Sequence, residues 1–183
     1  VYNYMTVVSI LNQYGFSLDE IVSKTSMIKA PKGRCEAYKV NGGVAVIDYA
    51  HTPDAVEKVV TAYNELKKNR IITIVGCGGD RDPKKRPIMG EIASRLSDYV
   101  IFTSDNPRTE DPESIIKDIL VGVKKDNYEV IVDRKSAIKH GIDIMEKDDI
   151  LLILGKGHED YQIIGREKIH LDDAEEVLNY KSN

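Results

Sequence analysis

The sequence predicts an α/β protein: an open, doubly wound, mostly parallel Rossmann-like sheet preceded by a short helical segment. Three observations carry this. Short β-branched runs such as "IITIV" (71–75), "YVIFT" (99–103) and "DILLIL" (149–154) are apolar throughout, as strands buried on both faces must be. Amphipathic stretches of helical period separate them. From residue 71 onward the two alternate in order, as a parallel sheet covered on both faces requires.

The elements follow in order. "VYNYMTVVSILNQYG" spaces Met5, Val8, Ile10, Leu11 and Tyr14 as a helix ending at Gly15, and Ser17 with Glu20 forms a capping box for a second one. "KAPKG" (29–33) reads as a linker, dividing the chain into 1–32 and 33–183. "CEAYKV" and "VAVIDYA" flank the hairpin signal "NGG". Thr52 is a helix cap with Pro53 at the first helical position, and Val56, Val59, Val60, Tyr63 and Leu66 share one apolar face. Helices are expected over 86–98, 112–125 and 134–147, after the strands 71–75, 99–103 and 128–132. The tail turns at Gly165 and Arg166 as a small hairpin, followed by a closing helix.

Composition narrows the function. The chain has 183 residues, 42% of them hydrophobic, and a formal net charge of −4, enough for one substantial core. Its basic residues are dispersed, so nucleic acid is not an expected partner. No apolar run approaches the ~20 residues of a membrane span, and no signal peptide is recognisable. Cys35 and Cys77 fit no metal-ligand spacing and read as reduced thiols of a cytoplasmic protein. A monomer is expected. The chain opens on Val1 inside a helix, as a fragment would.

In an open parallel sheet, ligands bind beyond the carboxyl ends of the strands. Three polar loops should meet there: "GCGGDRDPKKR", "SDNPRTEDP" and "GKGHED". The first fails the dinucleotide fingerprint, because Arg81 stands where the third glycine belongs. Nucleotide-dependent redox chemistry is therefore disfavoured, and on its own this loop reads equally well as a turn with solvated charges. The last fails the phosphate-loop pattern because His158 follows Gly157; it leaves an accessible Gly155 carbonyl and the Glu159 carboxylate, a pair suited to an ammonium. In "DNPR", Arg108 offers a planar fork for a carboxylate, and Asn106 can donate and accept. Pro107 stiffens the loop, and Asp105 is placed to tether it through backbone N–H groups. Glu110, Asp111 and Glu113 read as solvated charges at a helix start. Together the loops fit an amino acid carrying two carboxylates and two ammonium groups. No metal site is expected in the chain.

"VIDYAHTPDAVEKV", "GCGGDRDPKKRPIMGEIA", "SDNPRTEDPESII" and "LGKGHEDYQ" resemble, in order, the C-terminal domain of the Mur ligases, specifically the ligases that add the third peptide residue to the cell-wall precursor. The resemblance implies that residues 33–183 are the amino-acid-binding domain and 1–32 the last helices of a central ATPase domain. The "DNPR" form implies meso-2,6-diaminopimelate as the amino acid, added to a UDP-N-acetylmuramoyl dipeptide. The implied contacts are Arg81, Asn106, Arg108, Gly155 and Glu159, with Asp105 and Pro107 shaping the loop. Arg34 and Asp48 match positions facing ATP, Arg34 for phosphate charge and Asp48 for a ribose hydroxyl or as a positioning partner. His51 lies at the same edge, where a lone helix-start histidine reads first as structural, and Asn3 matches an asparagine on the central-domain helix and is counted with the nucleotide side. ATP and Mg2+ would serve the complete enzyme, converting a peptide carboxylate to an acyl phosphate for attack by the amine. The chain contains no G-x-x-x-x-G-K-[ST], so catalysis by it alone is not expected. A stand-alone amino-acid-binding module is the alternative, which a native start near residue 1 would favour.

Overall fold

The computed structural model describes residues 2–25, 27 and 31–181, with the side chains of Tyr2, Asn3 and Lys181 outside that description. The chain divides into two units at Pro31/Lys32. In the first, α1 (Tyr2–Gln13) and α2 (Leu18–Thr25) are separated by Gly15 at φ +94°. The capping box is made: Ser17 N–H donates to Glu20 at 2.9 Å, and Glu20 N–H to the Ser17 hydroxyl at 3.3 Å. Tyr4, Val7, Leu11, Phe16 and Ile21 line an apolar groove between these helices.

The second unit is built on a six-stranded sheet. Its strands are β1 (Glu36–Val40), β2 (Gly43–Asp48), β3 (Ile71–Val75), β4 (Tyr99–Phe102), β5 (Tyr128–Val130) and β6 (Ile150–Leu154), in spatial order β1-β2-β6-β3-β4-β5. Only β1 runs antiparallel, joined to β2 through Asn41 and Gly42, both at positive φ as a two-residue hairpin requires. The pleat sends alternate residues to opposite faces. Ile71, Val75, Val100 and Phe102 meet α3 (Pro53–Asn64), α4 (Lys85–Leu96) and α5 (Pro112–Leu120). Ile72, Ile74, Ile101 and Ile153 meet α6 (Arg134–Asp143) and α7 (Asp173–Lys181). Each fully buried aliphatic side chain contributes about 1.5–3 kcal/mol. The hairpin of β7 (Tyr161–Ile164) and β8 (Glu167–His170) stands apart from the sheet.

Three helices stop short of their expected ends. α3 closes at Asn64, whose amide donates to the Val60 and Leu96 carbonyls, so Leu66 lies beyond the helix and is 70% exposed. α5 ends at Leu120, where Gly122 packs directly on the Pro87 carbonyl and Val121 is left exposed. α6 ends at Asp143 because Asn41 accepts the role of cap, donating to the Ile142 carbonyl at 2.9 Å, while Arg70 donates to the Ile144 carbonyl at 3.0 Å. Val60 apart, these partners are distant in sequence.

α4 and α5 touch through Gly90, where an added Cβ would overlap the backbone carbonyl of Ile119. Helix propensity alone makes Gly90→Ala stabilising by about 1 kcal/mol. The contact reverses the sign: we expect a net loss of about 1–3 kcal/mol in urea denaturation, and a stabilised variant would show that the helices separate freely.

Candidate functional site

Helices after β2, β3 and β4 pack on one face of the sheet and α6 and α7 on the other, so a crevice opens at the carboxyl ends of β6 and β3. A cleft of about 450 Å³ occupies it. Arg81, Asp105, Asn106, Arg108, Gly155 and Glu159 all line it.

The loops reach one another because backbone touches backbone. A Cβ on Gly79 would overlap the Pro107 carbonyl, and one on Gly76 would lie 3.1 Å from Asp105 N. Gly79 N–H donates to the Asn106 carbonyl at 2.9 Å. The "DNPR" loop is then pinned from the far side by the β7–β8 hairpin. Arg108 N–H donates to the Ile163 carbonyl at 3.0 Å, and Gly165 N–H to the Arg108 carbonyl at 2.6 Å. These bonds hold Arg108 at φ +53°, a left-handed conformation costing a non-glycine residue about 1–2 kcal/mol. Its Nη1 donates to the Gly79 carbonyl at 2.8 Å. Among the described residues, no hydrogen bond engages Nε or Nη2, which leaves that edge for another acceptor.

Two poles result. Arg81, Arg108 and Lys85 supply the cationic side, with Asp82 also in the lining. Among the described residues, Arg81 donates a hydrogen bond to the Asp80 carbonyl alone, at 3.1 Å. The acidic side holds Asp105, Glu159 and the backbone of Gly155, which sits so close that a Cβ there would be 2.7 Å from Asp105 Oδ2. Glu159 Oε2 accepts from Asn106 Nδ2 at 3.0 Å, and Asn106 Oδ1 accepts from Ile163 N–H at 2.9 Å. The Asn106 amide therefore orients the carboxylate and joins the loop to β7.

Two expectations are corrected. Among the described residues no backbone N–H reaches the Asp105 carboxylate. The tether is Asp80 of the neighbouring loop, which accepts the Thr109 hydroxyl at 2.7 Å and Thr109 N–H at 3.3 Å. Glu110 is not simply solvated: it accepts from Asp80 N–H and from Arg86 Nη2, and the Arg86 guanidinium holds its carboxyl below the usual range. Asp111 caps α5 by accepting Ser114 N–H at 2.9 Å.

Three of the residues expected at ATP, Arg34, Asp48 and His51, gather around Tyr49. His51 lines the same cleft, its Nδ1 2.8 Å from the Tyr49 carbonyl. Arg34 lies with its guanidinium 4.5 Å from the Tyr49 ring centre. Asp48 is buried, with one oxygen accepting Cys35 N–H at 2.9 Å and the other Ala50 N–H at 2.8 Å. That is a positioning use, leaving little capacity for a ribose hydroxyl. The Asn3 side chain lies outside the described residues. Cys77 lines the cleft, but burial pushes its thiol up to about 12, so it stays protonated and is no nucleophile. Among the described residues no group of His, Cys, Asp and Glu is arranged to hold a metal ion, and no helix is long and apolar enough to cross a membrane.

Behind the acidic pole lie charges that sequence reasoning missed. Arg134 is fully buried in a two-pronged pair with Asp173, at 2.8 and 2.7 Å, and also donates to the Leu154 carbonyl at 3.1 Å. Its position as the first residue of α6 was a usable signal, since a cation there opposes the helix dipole. Lys156 is also buried, and burial pushes its ammonium below the ordinary lysine range.

Residues 33–157 match the family model described as "Mur ligase, glutamate ligase domain". The chain belongs to the Mur ligase family. It is 48% identical over 183 residues to the Clostridium acetobutylicum protein named UDP-N-acetylmuramoyl-L-alanyl-D-glutamate–2,6-diaminopimelate ligase 1, covering 98% of this chain and 38% of that protein. A Fusobacterium nucleatum protein named as the same ligase is 51% identical over 183 residues, covering 96% of this chain and 37% of its own length. A solved structure titled as that ligase superposes with a TM-score of 0.80 at 38% identity, over 96% of this chain and 36% of the other. The bifunctional folylpolyglutamate synthase/dihydrofolate synthase of Yersinia pestis shares the fold, with a TM-score of 0.63 at 17% identity over 84% of this chain and 35% of that one. This Mur ligase chain thus spans little more than a third of the relatives it matches.

The buried pair generates a stability prediction. Asp173→Ala leaves Arg134 charged and unpaired, and should cost about 3–5 kcal/mol in denaturant unfolding. Adding Arg134→Met should restore most of it; a single variant as stable as the parent would contradict this account of the pair.

Proposed function

We propose that this chain is the C-terminal, amino-acid-binding part of an ATP-dependent, amide-forming Mur ligase. The ligase adds meso-2,6-diaminopimelate to UDP-N-acetylmuramoyl-L-alanyl-D-glutamate in peptidoglycan synthesis, in the cytoplasm. One observation carries this reading: the free edge of the Arg108 guanidinium shares a cleft with an acidic pole formed by Asp105, Glu159 and Gly155. Both ends of diaminopimelate are zwitterionic, so each pole has a partner. The names of the relatives favour the same substrates.

Within this reading Arg108 receives the carboxylate that lysine lacks, and Arg81 supplies further positive charge to the same ligand. The Gly155 carbonyl and Glu159 take an ammonium, Asn106 orients Glu159, and Asp105 and Pro107 shape the wall. Lysine in the same cleft would leave Arg108 desolvated and unpaired, which typically costs a few kcal/mol.

Residues 1–32 are assigned to the end of a central ATPase domain. ATP would activate the peptide carboxylate as an acyl phosphate for attack by the amine. Toward ATP and Mg2+ this chain offers Arg34, held over Tyr49, and His51 at the cleft edge, with Asp48 fixing the backbone between them. The remaining nucleotide and metal contacts belong to the rest of the ligase.

In the complete ligase, Arg108→Ala should raise KM for diaminopimelate by about 10²-fold or more. KM for ATP should stay within about twofold, and discrimination against lysine should shrink. Steady-state kinetics with each substrate varied in turn checks this. An unchanged KM for diaminopimelate, or a parallel loss of ATP binding, would contradict the role given to Arg108.

A further inference from the structure

Lys156 stands out among the residues behind the cleft. It lies between Gly155 and Gly157, exposes no surface and does not line the cavity. A buried ammonium is costly and needs a reason. Its protein acceptors are the Tyr161 carbonyl and Glu159 Oε2, the latter at 3.4 Å, and its Nζ lies 5.3 Å from the Tyr161 ring centre. The charged groups that face it come from every surrounding element. They are Glu159 on its own loop, Asp105 on the loop after β4, Arg134 on α6 and Asp173 on α7. Asp173 is already spent on Arg134.

We propose that Lys156 is a positioning residue for the ligand's ammonium group, acting through Glu159. The inference rests on the ammonium-binding role proposed for Glu159. Formally, three carboxylates (Asp105, Glu159, Asp173) face two cations (Arg134, Lys156), so the cluster carries one unmatched negative charge. One monocation, such as the ammonium of an amino acid, completes it. Lys156 and Asn106 reach the same oxygen of Glu159, from the interior and from the "DNPR" loop respectively. The carboxylate is thereby oriented before ligand arrives. Lys156 also binds the carbonyl of Tyr161, whose side of the cleft it fixes relative to Glu159. Without Lys156 two negative charges are unmatched, and Glu159 keeps only the contact from Asn106 to orient it.

The test is a double-mutant cycle in the complete ligase, with meso-2,6-diaminopimelate as the varied substrate. Lys156→Met should raise its KM about tenfold while kcat and KM for ATP stay within about twofold. In a Glu159→Gln background the same substitution should change KM by less than about twofold. Independent, multiplicative effects, or a loss of kcat equal to the rise in KM, would assign Lys156 to scaffolding alone and overturn the proposal. Lys156→Gln is made in parallel, and the cycle is read on whichever variant melts within about 5 °C of the parent. Loss of the fold in both would overturn it too. If Glu159→Gln by itself leaves KM unchanged, the ammonium-binding role of Glu159 fails, and this inference with it.

Discussion

Three loops share one cleft here only because no side chain stands between them. Gly76 lies against Thr103 and Asp105, Gly79 against Pro107, and Gly155 against the Asp105 carboxylate. At each point the neighbour is backbone or a buried carboxylate, neither of which can retreat far. A methyl group at Gly79 would push the "DNPR" loop off the loop after β3, removing the Gly79 carbonyl from Arg108 and with it the orientation of the guanidinium. The selectivity proposed for the site would therefore begin with close approach of main chains, with charge acting within that frame.

The charges then divide by depth. Arg81, Arg108 and Glu159 line the cleft, where a ligand can compete with water for them. Arg134, Asp173 and Lys156 lie behind it, wholly buried. Buried ion pairs add little net stability compared with a well-packed apolar core, because desolvation offsets their attraction. Their use is to fix where the outer charges sit. Arg134 ties α6 to α7 and to the Leu154 carbonyl at the end of β6, from which the Gly155 loop departs. A ligand in the proposed site would thus meet groups that are already oriented, and less of its binding free energy would be lost to ordering them.

Much of this was legible in the sequence, and the divide is physical. Uniformly apolar strands, the "NGG" hairpin and the Thr52-Pro53 cap are local or periodic signals, and the structure contains each of them. The convergence of Arg81, Arg108 and Glu159 followed from topology, since loops leaving carboxyl ends of neighbouring parallel strands must share a rim. What was not legible depended on partners distant in the chain. α6 ends early because Asn41 and Arg70 cap it, and the "DNPR" loop is tethered by Asp80 and the β7–β8 hairpin instead of by its own Asp105. Lys156 was passed over because nothing near it in sequence marks a lysine between two glycines as buried.

The central claim is that this cleft itself distinguishes diaminopimelate from lysine. NMR titration of the chain with each amino acid, carried to high millimolar ligand, tests it most directly. The account predicts backbone shifts at Arg81, Asn106, Arg108, Gly155 and Glu159 with meso-2,6-diaminopimelate, and far weaker ones with lysine. Equal responses to the two ligands, or none at these residues with diaminopimelate, would contradict it.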